Sequence, residues 1–155
     1  MRNCGTAGLG RAAGLVAGFL ALDAAAASEP PAIKSFDTLR GTCEIVVVAA
    51  EDLTVGCGAK IGIMRYADGR TGFYFLLAGD RILTFSGFDR GGDGKTFALE
   101  RIVYNDGTSP TTPKAYPASG ACRFIGGKPG SVVVSCEGRT QKGARFAARF
   151  RAAVK

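Results

Sequence analysis

Histidine is absent from the 155 residues, and so is tryptophan. Without histidine there is no Ser-His-Asp or Cys-His nucleophile system, no imidazole metal ligand and no imidazole pH switch. Methionine is scarce, at two residues. Long apolar runs are missing as well. The run Ala12–Leu22 stops at 11 residues, well short of the roughly 20 that a spanning helix needs. No segment sustains a helical period of apolar residues. Acids become rare toward the end: residues 114–155 carry a single one, Glu137, against nine basic residues. What remains is a globular composition, 46% hydrophobic and 21% charged, with 23 glycines, in a chain long enough for one domain.

The first 27 residues read as a secretory signal peptide. Arg2 and Arg11 charge its start, the apolar run follows, and Ala25-x-Ala27 places a cleavage site before Ser28. Cys4 precedes the apolar run instead of closing it, which is not the lipoprotein arrangement. Cleavage removes Arg2, Arg11 and Asp23 and leaves a net charge of +6. That charge is uneven: residues 28–113 sum to −2 and residues 114–155 to +8. A basic tail often means nucleic acid, but export to the periplasm or medium excludes that partner. An acidic protein or an anionic envelope component is the expectation, with no transmembrane anchor once the signal is cut.

Four cysteines stay in the mature chain: Cys43, Cys57, Cys122 and Cys136. An even number in a small exported protein reads as two disulfides. Both Cys43–Cys57 and Cys122–Cys136 are 14 apart, so each pair brackets one hairpin. The second hairpin turns on Gly126-Gly127-Lys128-Pro129-Gly130, and folding it about residue 129 sets Cys122 opposite Cys136. Opposed β-carbons lie about 4.5–5.5 Å apart, close to bridging distance. The first hairpin folds about Ala50. No C-x-x-C pair suggests zinc, so neither a metal nor another cofactor is expected. Gly41-Thr42-Cys43 and Gly120-Ala121-Cys122 share an offset of 79, a faint echo of a duplication or of one geometric need met twice.

The mature chain divides into a leader, residues 28–40, and a β domain, residues 41–155. Ser35, Phe36 and Leu39 suggest one helical turn in the leader, with the two apolar residues three apart. Beyond it, eight or nine strands alternate with turn signals about every ten residues, so the fold class is an all-β antiparallel sandwich or closed barrel. One strand, Thr96–Asn105, breaks phase: Phe97 and Leu99 share a face, whereas Ile102 and Tyr104 lie on the other. A β-bulge at Glu100-Arg101 reconciles them.

Two stretches suggest binding surfaces. In the hairpin Gly72–Phe88, a two-residue turn at Gly79-Asp80 pairs Leu77 with Ile82. Phe73, Phe75, Leu77 and Ile82 then share one face, and Tyr74, Leu76, Leu83 and Phe85 the other. Both faces are apolar, so the second needs a cover, either Phe36 and Leu39 or another molecule. In the last strand Phe146, Ala148 and Phe150 face one way and Arg145, Arg149 and Arg151 the other. That arginine stripe is either a contact for carboxylates or phosphates or a guard on an exposed edge strand. Asp89-Arg90-Gly91-Gly92-Asp93-Gly94 superficially matches a calcium loop, but Gly91 stands where an oxygen ligand belongs. No catalytic residues stand out.

Gly41-Thr42-Cys43 followed by Cys57, Tyr66-Ala67-Asp68-Gly69-Arg70-Thr71-Gly72-Phe73-Tyr74-Phe75, Leu83-Thr84-Phe85-Ser86-Gly87 and the closing cysteine pair resemble a family of uncharacterised small exported bacterial proteins. That resemblance implies no activity. Phe36-x-x-Leu39-x-Gly41-Thr42 is also weakly similar to the first strand of lipocalin-like barrels and of small periplasmic protease-inhibitor barrels. The expectation is a non-enzymatic, exported β domain that binds a protein or an anionic envelope partner, in the manner of an inhibitor. A barrel holding a small apolar ligand is the alternative, and a small hydrolase using carboxylates is a second.

Overall fold

The computed structural model describes residues 30–108 and 113–153. The signal peptide expected over residues 1–27 lies outside them. Nine strands form one antiparallel sheet: β1 (Ile33–Val48), β2 (Glu51–Asp52), β3 (Cys57–Tyr66), β4 (Arg70–Leu77), β5 (Arg81–Phe88), β6 (Thr96–Asn105), β7 (Lys114–Gly126), β8 (Ser131–Thr140) and β9 (Arg145–Ala153). Each strand from β3 to β9 pairs with the next, and β9 returns to β1. The sheet is thus a closed barrel of eight strands, with β2 as a short addition beside β1. A single 3-10 turn, Thr54–Gly56, links β2 to β3.

Closure rests on β1. At 16 residues it is the longest strand, and it divides its length between two neighbours. Ile33–Arg40 pairs with β3, and Gly41–Val48 pairs with β9. Gly41 stands at the changeover, where a β-carbon would lie 1.9 Å from the Arg151 carbonyl oxygen. Only glycine permits so close an approach. Three residues on, Glu44 is the extra residue of a bulge between Cys43 and Ile45.

The leader is therefore not separate from the β domain, and its helical turn is not formed. Residues 33–40 are the first half of β1. Phe36 and Leu39 are three apart, which in a strand puts them on opposite faces: Leu39 packs on the core, whereas Phe36 stays outside, 58% exposed.

Inward side chains fill the barrel. Ile61, Ile63, Phe73, Phe75, Leu83, Phe85, Ile102, Val134 and Phe150 are at most 2% exposed. Phe73, Phe97 and Phe124 meet with ring centroids 5.2–6.0 Å apart, the spacing favoured by edge-to-face aromatic contacts. An eight-stranded barrel has an interior just wide enough for such side chains, and here they occupy it.

The phase break in β6 is a bulge, as its sequence predicts. The register steps from Ser86–Arg101 to Gly87–Leu99, leaving Glu100 as the extra residue. Phe97, Leu99 and Ile102 all reach the core as a result.

The hairpin of β4 and β5 departs from expectation. Leu77 pairs with Arg81, across the three-residue loop Ala78-Gly79-Asp80, and Phe75 pairs with Leu83. Gly79 and Asp80 both adopt positive φ, 72° and 57°. The extra loop residue slips the register by one and turns one strand over. Leu83 and Phe85 therefore join Phe73 and Phe75 in the core, each 0% exposed.

Both expected disulfides are present, Cys43–Cys57 and Cys122–Cys136. They differ in setting. Cys122 and Cys136 are directly opposed on β7 and β8 and are buried. The first hairpin does turn at Ala49-Ala50, with Val48 opposite Glu51, but the chain then leaves through the 3-10 turn before reaching Cys57. Cys43 is instead opposite Phe150 of β9. The two matching spacings are thus two different constructions.

Replacing Cys43 and Cys57 together by serine removes the tie between β1 and the start of β3. The expected loss is about 3 kcal/mol for a loop of this length, measured by urea unfolding of the oxidised double variant against the parent.

Candidate functional site

With the interior occupied, the distinctive surfaces are on the outer wall. Outward positions of five adjacent strands form one face: Phe36, Thr38 and Arg40 of β1; Lys60, Gly62, Met64 and Tyr66 of β3; Arg70, Gly72, Tyr74 and Leu76 of β4; Ile82, Thr84 and Ser86 of β5; and Arg101 and Val103 of β6. Two glycines make room for aromatic rings. A β-carbon on Gly72 would lie 2.8 Å from the Tyr74 ring, and one on Gly62 would lie 2.9 Å from the Phe36 ring. Both rings therefore lie back over the sheet instead of standing out from it.

Tyr74 is the centre of this wall. Three depressions adjoin it. The first, about 430 Å³, runs between Pro30-Pro31 and the side chains of Tyr66, Arg70, Tyr74, Thr84, Ser86 and Arg101. The second, about 390 Å³, has Phe36, Met64, Tyr74 and Leu76 along its floor, with Arg40 and Lys60 beside them. The third, about 280 Å³, lies between Tyr74, Ile82, Val103 and Pro113. The Tyr74 hydroxyl shares a hydrogen bond with the Tyr66 hydroxyl. Burial, and then that hydrogen bond, push the Tyr74 phenol well above its ordinary value. Leu76 remains 45% exposed.

Beside the first depression is a small ionic cluster. Arg70 lies 3.2 Å from Glu100 and 3.4 Å from Asp68, and its guanidinium sits 5.7 Å from the centre of the Phe88 ring. The Arg70 Nε approach to Glu100 is an ionic contact, not an aligned hydrogen bond. Arg101 shares Glu100 at 3.4 Å. Asp68 and Glu100 thus converge on a cation. Three further carboxylates pair with cations. Asp37 pairs with Arg65, Glu51 with Arg81 and Asp106 with Lys114. No group of three or more His, Cys, Asp or Glu side chains is arranged to hold a metal among the described residues. In the calcium-like loop, Asp89 accepts hydrogen bonds from the backbone N–H of Gly92 and Gly94, and Asp93 from those of Lys95 and Thr96.

The sequence-predicted apolar face is split by the register of β4 and β5. Tyr74 and Leu76 are on the outer wall; Leu83 and Phe85 are inside. Ile82 and Thr84 take their places outside. Phe36 does lie on the same wall, whereas Leu39 is turned inward.

The arginine stripe lies on the opposite side of the barrel. Its parity is as read: Phe146, Ala148 and Phe150 are buried, and Arg145, Arg149 and Arg151 are outside. β9, however, is not an edge strand, since β8 and β1 flank it. Glu44, at its bulge, lies 2.9 Å from Arg149 and 2.6 Å from Arg151, and Glu137 lies 2.9 Å from Arg145. The acids that meet this stripe come from the chain itself.

At one end of the barrel, Tyr116, Ala144 and Phe146 line a shallow recess of about 270 Å³. No helix among the described residues is long and apolar enough to cross a membrane.

No protein-family model, curated protein or solved structure matches this chain significantly.

The raised Tyr74 phenol has a measurable consequence. The folded state holds that proton more tightly than the unfolded chain does. Its stabilisation is therefore complete below about pH 10, the ordinary tyrosine value, and is lost as pH rises through and beyond it. Tyr74→Phe should flatten the fall in melting temperature between about pH 9 and 11, measured beside the parent; equal slopes would contradict the assignment.

Proposed function

We propose that this chain is an exported, non-catalytic domain that binds another protein through the outer wall centred on Tyr74. The observation that carries this reading is the junction of three depressions at one half-buried tyrosine, on the outside of a barrel whose inside is occupied. The wall carries two tyrosines, three arginines, one phenylalanine and one methionine, residue types that protein interfaces favour. Phe36 and Leu76, exposed at 58% and 45%, supply apolar surface that binding would cover. Two disulfides suit an oxidising compartment such as the periplasm or the extracellular medium, and they agree with cleavage of a signal peptide before Ser28. The lack of histidine and the pairing of most described carboxylates with cations support a binding role over hydrolysis. A packed interior argues against a ligand inside the barrel.

The experiment is site-specific photocrosslinking in the producing cell. A benzophenone amino acid at Leu76 should give a discrete protein adduct, and one at Ser135, between Arg123 and Arg149 on the opposite wall, should not. With the crosslinker moved to Met64, Leu76→Asp should weaken the adduct at least about tenfold, equivalent to roughly 1.4 kcal/mol. Equal adducts from both walls, or none from Leu76, would refute the proposal.

A further inference from the structure

The barrel is not closed along its full height. β9 accompanies β1 from Gly41 to Val48, but over Ile33–Arg40 β1 has β3 on one side and no strand on the other among the described residues. An unpaired edge presents a row of backbone N–H and C=O groups, a template for one more strand. The side chains agree with an open flank. Asp37 has the parity of the inward Leu39, yet its side chain is 56% exposed.

The charge along this edge has one sign to spare. Arg40 lies directly opposite Lys60 across the β1–β3 ladder. Like charges so placed destabilise a sheet. No carboxylate lies within ion-pair distance of either among the described residues. Within Ile33–Arg40 itself, Lys34 is a second cation beside Arg40. The single acid there, Asp37, is held by Arg65. Arg40 and Lys60 also border the depression floored by Phe36 and Tyr74.

We propose that Ile33–Arg40 is a strand-addition site, and that its occupant is an extended acidic segment of the protein partner. This rests on the protein-binding reading above and specifies its mode. Main-chain hydrogen bonds to the free edge supply affinity, and alternate side chains supply selectivity. Acidic residues on one face of the added strand relieve the Arg40–Lys60 repulsion. A second copy of this chain is a poor occupant, because it would bring two basic edges together.

The test uses the ¹⁵N-labelled mature protein and two acetylated peptide amides of seven residues, one alternating glutamate with valine and one alternating lysine with valine. In the free protein, amides of residues 33–40 that point away from β3 should exchange rapidly. The glutamate peptide should slow them at least tenfold and shift their resonances, and the lysine peptide should do neither. Arg40→Glu with Lys60→Glu should reverse that preference; the parent fold is checked by the unchanged resonances of β5 to β8. Three results would overturn the proposal: slow exchange of these amides in the free protein, equal response to both peptides, or glutamate-peptide shifts confined to another part of the barrel. Sedimentation of the free protein identifies a second copy if that is what covers the edge. Failure here with the Leu76 adduct intact leaves the wall as the interface and removes only strand addition. Edge binding without that adduct removes the wall instead.

Discussion

The fold depends on one strand serving two partners. β1 begins against β3 and ends against β9, and the steric demand at Gly41 marks where it changes sides. Without that change the sheet would have two long free edges. With it, the first and last strands are joined, and Glu44, displaced from the ladder by its bulge, meets both Arg149 and Arg151 across the seam. These exposed ion pairs add little energy individually. Their arrangement matters more: a local irregularity in β1 puts one carboxylate between two guanidinium groups of the strand that closes the barrel.

Packing then decides where function can reside. Phenylalanines from five strands pack inside, so binding chemistry is left to the outer surface and the barrel ends. On the outer wall, glycines at positions 62 and 72 let aromatic rings recline on the sheet. The result is a low, aromatic surface bordered by arginines and hydroxyls. The opposite wall has as much positive charge but uses its own glutamates to balance part of it.

Local features of this architecture were legible in the sequence, and features that depend on distant partners were not. The spacing of Cys122 and Cys136 around a glycine-rich turn determines their pairing, because hairpin geometry is local. The parity break at Glu100 similarly reveals its bulge. The β4–β5 hairpin departs from its sequence signal: Gly79-Asp80 suggests a two-residue turn, but Ala78 joins them in a three-residue loop. That single residue moved Leu83 and Phe85 from the proposed site into the core. Phe36 and Leu39 suggest a helical turn by spacing alone, but pairing with β3 imposes strand geometry. The closed status of β9 was invisible, because its second neighbour is the start of the domain. Tyr74 and Leu76 share one outward face, as strand alternation predicts; Tyr66, Thr84 and Arg101 join that face only once separate strands are set side by side.

The seam between β1 and β9 also governs the order of events during folding. Glu44 and Arg151 are 107 residues apart in sequence, so their contact incurs the entropy of closing nearly the whole domain. The β3–β8 meander contains only neighbouring hairpins and can assemble as they appear, but the barrel cannot close on an incomplete chain. High contact order of this kind slows folding. The last strand is thus a kinetic checkpoint: until it is released, β1 has a free flank along its whole length, and a chain cut short before residue 145 has no route to the closed state.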